Sequence, residues 1–357
     1  MKQGKILFFG LMIALLSGCA SIGPGSVSRD RYDYVASITE SWKRQIALNI
    51  IKIRYLEPIF FVDVGQIVAG YSLETGITLG GQGTLSNFSS STFVNSNLSG
   101  KYTDRPTITY TPLTGSTFVK GLMTPISPNN LLFAIQSGVP SDMIFRLGVG
   151  SINGLRNESA GLGGYSPAEE KFLRVVDLIR RLQRNEAISI KTIKEKDQPE
   201  RSFISFPPKT DQRENSALAA ELRQLLGLDP AANQFPLVSG SYPENDREVA
   251  MQTFSLMHML SFLAARVEVP EKDLREKRAS PGARETIGKG HFEGFLMKSS
   301  EVEPLDAYVA VKYRNHWFWV DDQDLFSKRV MSFLTLMFTL ADTGVDKPLP
   351  VVTIPAQ

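Results

Sequence analysis

The sequence predicts an α+β fold, with helices packed on a mainly antiparallel sheet and two closely packed subdomains. Apolar residues recur at steps of three or four along several long stretches, the mark of helices with one buried stripe. Elsewhere, at 71–79, 107–111 and 306–320, apolar and polar residues alternate or β-branched and aromatic residues cluster, the mark of strands. The composition, 42% hydrophobic and 21% charged over 357 residues, is globular and large enough for one large or two ordinary cores.

The first element is not part of the folded body. Lys2 and Lys5 precede an uncharged apolar run, Ile6 to Leu16, of secretory length and too short for a membrane span. Ser17 and Gly18 then offer a cleavable bond before Cys19. The Leu16-Ser17-Gly18-Cys19 segment resembles the lipobox of bacterial lipoproteins, which implies that residues 1–18 are a signal peptide and that Cys19 is the acylated first residue. The alternatives are an ordinary secretory signal with a chance cysteine, or a buried free thiol. Each buried methylene contributes about 0.8 kcal/mol, so several acyl chains on one residue make desorption negligible. Ala20 and Ser21, with no Asp after the cysteine, resemble the sorting pattern for the outer membrane, which implies a periplasm-facing protein held in the inner leaflet.

Cys19 is the only cysteine. If it is lipidated, disulfides, thiolate catalysis and cysteine metal sites are excluded together. The formal charge of +2 is carried by Lys2 and Lys5 and disappears with the leader, so no global field favours nucleic acid.

Residues 19–30, rich in Gly, Pro and Ser, read as a tether of roughly 17 Å end-to-end. Asp30 is the expected N-cap of a helix from Arg31. Val35, Ile38, Trp42, Ile46, Ile50 and Ile53 form one stripe; Leu48, Ile51 and Tyr55 form another opposite it. Such a helix is expected to be sandwiched in the interior through its last turns, ending before Pro58. Alternation of Tyr71, Leu73, Thr75, Ile77 and Leu79 with polar neighbours marks a strand, and Thr107 to Thr111 marks another, giving a long hairpin over 71–111. Helical character returns from Phe118 to Leu147. The glycines at 148, 150 and 154 and at 161, 163 and 164 are expected to mark a linker, separating subdomains at 31–150 and 166–357.

Ser166 to Glu169 has the form of a capping box, opening a helix with Phe172, Val176, Ile179 and Leu182 inward. Strands are expected at Ala187 to Lys194 and Arg201 to Phe206, then a helix from Asn215 with Leu218, Leu222 and Leu225 inward and Gly227 as its C-terminal stop. A core helix is expected over Met251 to Val267, and a solvated turn or helix face over Glu271 to Arg278. Asp306 to Tyr313 and His316 to Val320 form a hairpin turning at Arg314-Asn315. Asp321, Asp322 and Asp324 open a final helix carrying Phe326, Val330, Phe333, Leu334, Met337 and Phe338. Gly344 and Pro348 stop it, and Leu349 to Ile354 is a last strand.

Two stretches, Gln45 to Tyr55 and Lys312 to Asp322, resemble segments of an uncharacterised family of Gram-negative lipoproteins. That family has no established activity, so the resemblance implies a fold unit and no chemistry.

No catalytic, cofactor or metal set emerges. The aspartates at 321, 322 and 324 lack the glycine and distant Glu of a calcium loop and suit a helix N-terminus. His258, His291 and His316 are scattered and none belongs to a zinc motif. Gly148, Gly150 and Gly154 are one residue too widely spaced for a dinucleotide loop. Trp317, Phe318 and Trp319 suit a carbohydrate or partner surface, but packing of at least one of Trp317 and Trp319 into the core is the simpler expectation. The expected function is an interaction or scaffold lipoprotein without a cofactor, touching the bilayer through Cys19 and an envelope protein or further copies of itself through its body. A second reading is an oligomeric export or pore component using the 71–111 hairpin. A third is a cell-envelope hydrolase.

Overall fold

In the computed structural model, the described residues are 24–68, 70–82, 93–161, 164–193, 201–206, 213–287 and 294–341. The expected signal peptide at 1–18, the expected acylation site Cys19, His291 and the expected strand at Leu349 to Ile354 lie outside them. The fold is α+β. Its described residues form two compact units, one of 24–39 and 61–113, the other of 40–60 and 114–341.

Helix α1, Pro24–Arg54, belongs to both. It starts earlier than expected, so residues 24–30 of the predicted tether are helical. Asp30 lies inside it and pairs with Arg29 at 3.1 Å instead of capping. Pro24 suits the first turn, where a missing N–H costs nothing. Val35 is 56% exposed. By contrast, Ile46, Ala47, Asn49, Ile50, Ile51, Arg54 and Tyr55 are all buried. Members of both expected stripes are thus buried, although Leu48 and Ile53 are only half-buried.

In the larger unit, the central element is a six-stranded sheet. It contains β5 (Val149–Ile152), β6 (Leu155–Arg156), β9 (Ser189–Ile193), β10 (Arg201–Ser205), β11 (Gln234–Ser239) and β12 (Val249–Thr253), in the order β6-β5-β12-β11-β10-β9. Only the β11–β12 pair is parallel. Helices α4 (Ser141–Gly148), α5 (Glu170–Arg184) and α6 (Arg213–Leu226) cover one face. Phe145, Ile179, Leu222, Leu226, Val249 and Met251 meet there around a small apolar cavity, about the size of one water and without a polar partner for it.

The glycine-rich stretch is therefore not a linker. It supplies α4's end and the β5–β6 hairpin at the middle of the core. A Cβ on Gly150 would stand 2.8 Å from the Phe254 ring, so glycine is what lets the strand and ring approach. Asn153 and Gly154 turn the hairpin with φ of 45° and 82°, as a two-residue type I′ turn requires.

Two further expectations change. Residues Val249–Thr253 are strand, and the helix expected from Met251 begins only at Leu256, capped by the Ser255 hydroxyl. The capping box at Ser166 does not form. Ser166 closes a short strand pair, β7 (Ser159–Gly161) with β8 (Gly164–Ser166), and the Glu169 carboxylate binds Arg156 at 2.8 Å. Helix α7 (Leu256–Ala264) and α10 (Leu325–Ala341) are packed in the core, and among the described residues no helix is long and apolar enough to cross a membrane.

Helices α2 (Ser116–Met123), α3 (Pro128–Gln136), α8 (Glu271–Arg275) and α9 (Ala283–Ile287) complete this unit with a three-stranded sheet. That sheet is β13 (Lys298–Ser300), β15 (His316–Asp321) and β14 (Ala307–Tyr313), in that order. The β14–β15 turn uses Arg314 and Asn315, both at positive φ, as predicted.

Candidate functional site

The smaller unit holds the feature that fits no self-contained domain. Strand β1 (Phe61–Val68) pairs antiparallel with β4 (Thr107–Leu113), and β2 (Tyr71–Gln82) pairs antiparallel with β3 (Phe93–Asp104). The Arg105 N–H donates to the Gly70 carbonyl at 2.9 Å, so the two ladders run on as one ribbon. Among the described residues no third strand pairs with it. Among the described residues, each long edge of the β2–β3 ladder is thus a row of backbone donors and acceptors with no strand alongside.

A two-stranded ribbon of this kind is at best marginal in water on its own. Its exposure agrees. In β4 every residue before Leu113 is exposed, including Tyr110 at 63% and Ile108 at 39%. Gly65 makes a bulge in β1, between Val64 and Gln66. A Cβ there would come 2.8 Å from the Thr111 hydroxyl oxygen, and a bulge at this point bends and twists the ribbon.

The β2–β3 register sorts the sequence into two faces. Leu73 lies opposite Tyr102, Ile77 opposite Leu98, and Gly81 opposite Val94, so the apolar positions share one face. Ser72 lies opposite Thr103, Glu74 opposite Lys101, and Thr78 opposite Asn97 on the other. The alternation read from the sequence therefore extends across both strands.

The candidate groups singled out in the sequence have structural partners. Asp324 caps α10, accepting from the Ser327 N–H at 3.0 Å and its hydroxyl at 2.6 Å. Asp321 binds Lys298 at 2.9 Å and Asp322 binds Lys328 at 2.7 Å. The His258 ring stacks on Phe254, centroids 4.9 Å apart. The His316 Nδ1 lies 3.3 Å from the Arg314 carbonyl. Among the described residues no group of three or more His, Cys, Asp or Glu could hold a metal ion. Phe318, not a tryptophan, enters the core of the three-stranded sheet. Trp317 and Trp319 are half-buried on its other face, with Lys312 and Lys298 6.0 and 4.8 Å from their respective ring centroids.

Buried ionic groups around α1 were not legible in advance. Arg54 is 1% exposed and binds Glu285 at 2.9 Å. Burial pushes the Glu285 carboxyl up, but the Arg54 charge and the Gly282 N–H outweigh it and hold it below the ordinary carboxylate range. Burial also lowers the Arg54 pKa, against the pull of Glu285. The Tyr55 hydroxyl donates to Asp273 at 2.6 Å, and burial, reinforced by that bond, raises its pKa. Asp273 is therefore 8% exposed inside a run expected to be solvated. Glu158 accepts from both the Arg266 guanidinium at 2.5 Å and the Tyr165 hydroxyl at 2.6 Å. The first two contacts tie the end of α1 to α9 and α8.

No protein-family model, curated protein or solved structure matches the chain.

Proposed function

We propose that this protein is an assembly component of the bacterial envelope, anchored through Cys19 and joined to its partners along the β1–β4 ribbon. The observation that carries this reading is the pair of long edges of the β2–β3 ladder, which have no neighbouring strand among the described residues. An added strand would satisfy its backbone groups and bury its apolar face, which is how β-augmentation yields affinity. The lipobox supports the anchor, because it places the sole cysteine after an apolar run and two small residues. The compact body then acts as the scaffold that presents the ribbon, with no cofactor required.

The test is crosslinking and affinity capture from intact envelopes. Three proteins are compared: the native chain, Cys19→Ala, and a variant in which 71–104 is replaced by an Asn-Gly turn. Crosslinked partners, including copies of the chain, should be reduced by Cys19→Ala and lost with the ribbon excised. An unchanged set of partners after excision would refute the reading.

A further inference from the structure

We propose that β2 and β3 are transmembrane strands, and that several copies of this chain place their hairpins edge to edge in one closed β-barrel. This rests on the reading of the ribbon as the assembly element and identifies what meets it: second copies along the edges, lipid on the apolar face.

The first argument is length. Each strand has twelve residues in unbroken register, and a tilted strand needs roughly 9–11 to cross the hydrocarbon layer. The β1–β4 ladder has its own register shift at Gly65, so the uninterrupted part of the ribbon is the part of membrane length.

The second argument is polarity. Membrane strands alternate apolar and polar positions, lipid on one side and lumen on the other. The register puts the positions of Leu73, Ile77, Leu79, Val94, Leu98 and Tyr102 on one face. The opposite face holds Ser, Thr, Asn, Gln and Gly positions with Phe93 at its far end, and its Glu74 and Lys101 are directly opposed, while Asp104 sits opposite Tyr71 at the end of the apolar face; a lumen lined by the polar face carries little net charge. The ionisable positions of β2 and β3, namely Glu74, Lys101 and Asp104, fall toward the end where Gly70 meets Arg105, while Thr75 to Gln82 and Phe93 to Gly100 hold none. Tyr71 and Tyr102 stand at that same end, where membrane barrels carry their aromatic girdle.

The third argument is the edge. No irregular or open backbone edge persists in hydrocarbon, because each unsatisfied group costs several kcal/mol there. A single hairpin in a bilayer therefore requires neighbours on both sides, and identical hairpins supply a closed ring without any other protein. The smallest membrane barrels have about eight strands, which at two strands per copy is about four copies or more.

The test uses the full-length lipoprotein reconstituted in vesicles, carrying one added cysteine at a time at Thr75, Gly76, Ile77, Thr78 or Leu79. Each is labelled with an environment-sensitive fluorophore and exposed to lipids bearing a quencher on the acyl chain. Quenching should be several-fold stronger at 75, 77 and 79 than at 76 and 78, and the same samples extracted in mild detergent should have the mass of at least a tetramer. Quenching without the period of two, or its absence at all five positions, overturns the inference, as does a monomeric or dimeric mass. If quenching is absent while envelope crosslinks through the ribbon persist, the barrel falls and the assembly role stands.

Discussion

The six-stranded sheet and the ribbon are both largely antiparallel and both start from alternating sequence, yet only one is self-sufficient. In the sheet, the four inner strands have neighbours on both sides and helices α4, α5 and α6 seal one face around Phe145, Leu222 and Met251. In the ribbon, each strand has one neighbouring strand among the described residues and β4 is exposed along nearly its whole length. The same backbone chemistry that closes the body leaves the β2–β3 edges open among the described residues, and that difference is what the proposed assembly role rests on.

The comparison breaks most sharply by removing the ribbon. Replacing 71–104 by an Asn-Gly turn should abolish assembly while the body keeps a cooperative thermal transition, followed by circular dichroism. Loss of that transition would mean that the body depends on the ribbon. The converse is to damage the body. Arg54→Ala leaves Glu285 partly buried without its cation, and breaking a buried pair in this way costs about 3–5 kcal/mol, measured by urea unfolding. Gly150→Ala forces a methyl toward the Phe254 ring and should cost about 1–3 kcal/mol in the same assay, with the vesicle quenching pattern of the ribbon intact.

Smaller effects sharpen the account of the body. Asp324→Ala removes the α10 cap and should cost about 1 kcal/mol. Because the folded-state pKa of Glu285 is depressed, its contribution is present above the unfolded carboxylate pKa of about 4.3 and is lost as pH falls through the lower folded value. Glu285→Gln should therefore flatten that acid limb in pH-dependent unfolding.

Much of the body is legible in the sequence because its signals are local. The two stripes of α1 predict burial of residues from both sides between Ile46 and Tyr55, with Leu48 and Ile53 only half-buried, the Arg314-Asn315 pair predicts its turn, and Asp324 predicts its cap. The failures are also local. Gly148, Gly150 and Gly154 read as a linker because glycine is ambiguous between a flexible joint and a point of close packing. Asn153-Gly154 between Ile152 and Leu155 is a hairpin signal that resolves the ambiguity. Arg54, Asp273 and Glu285 are illegible for a different reason. Tyr55 and Asp273 are far apart in the chain, as are Arg54 and Glu285, and nothing in a local window says that a charge will be buried. For the ribbon, alternation in β2 is plain in the sequence, whereas its register with β3 is a tertiary fact.

The most direct measurement is the mass of the detergent-extracted protein by light scattering, for the full chain and for the variant lacking 71–104. The account predicts a closed oligomer for the first and a monomer for the second. Equal masses for the two would contradict it.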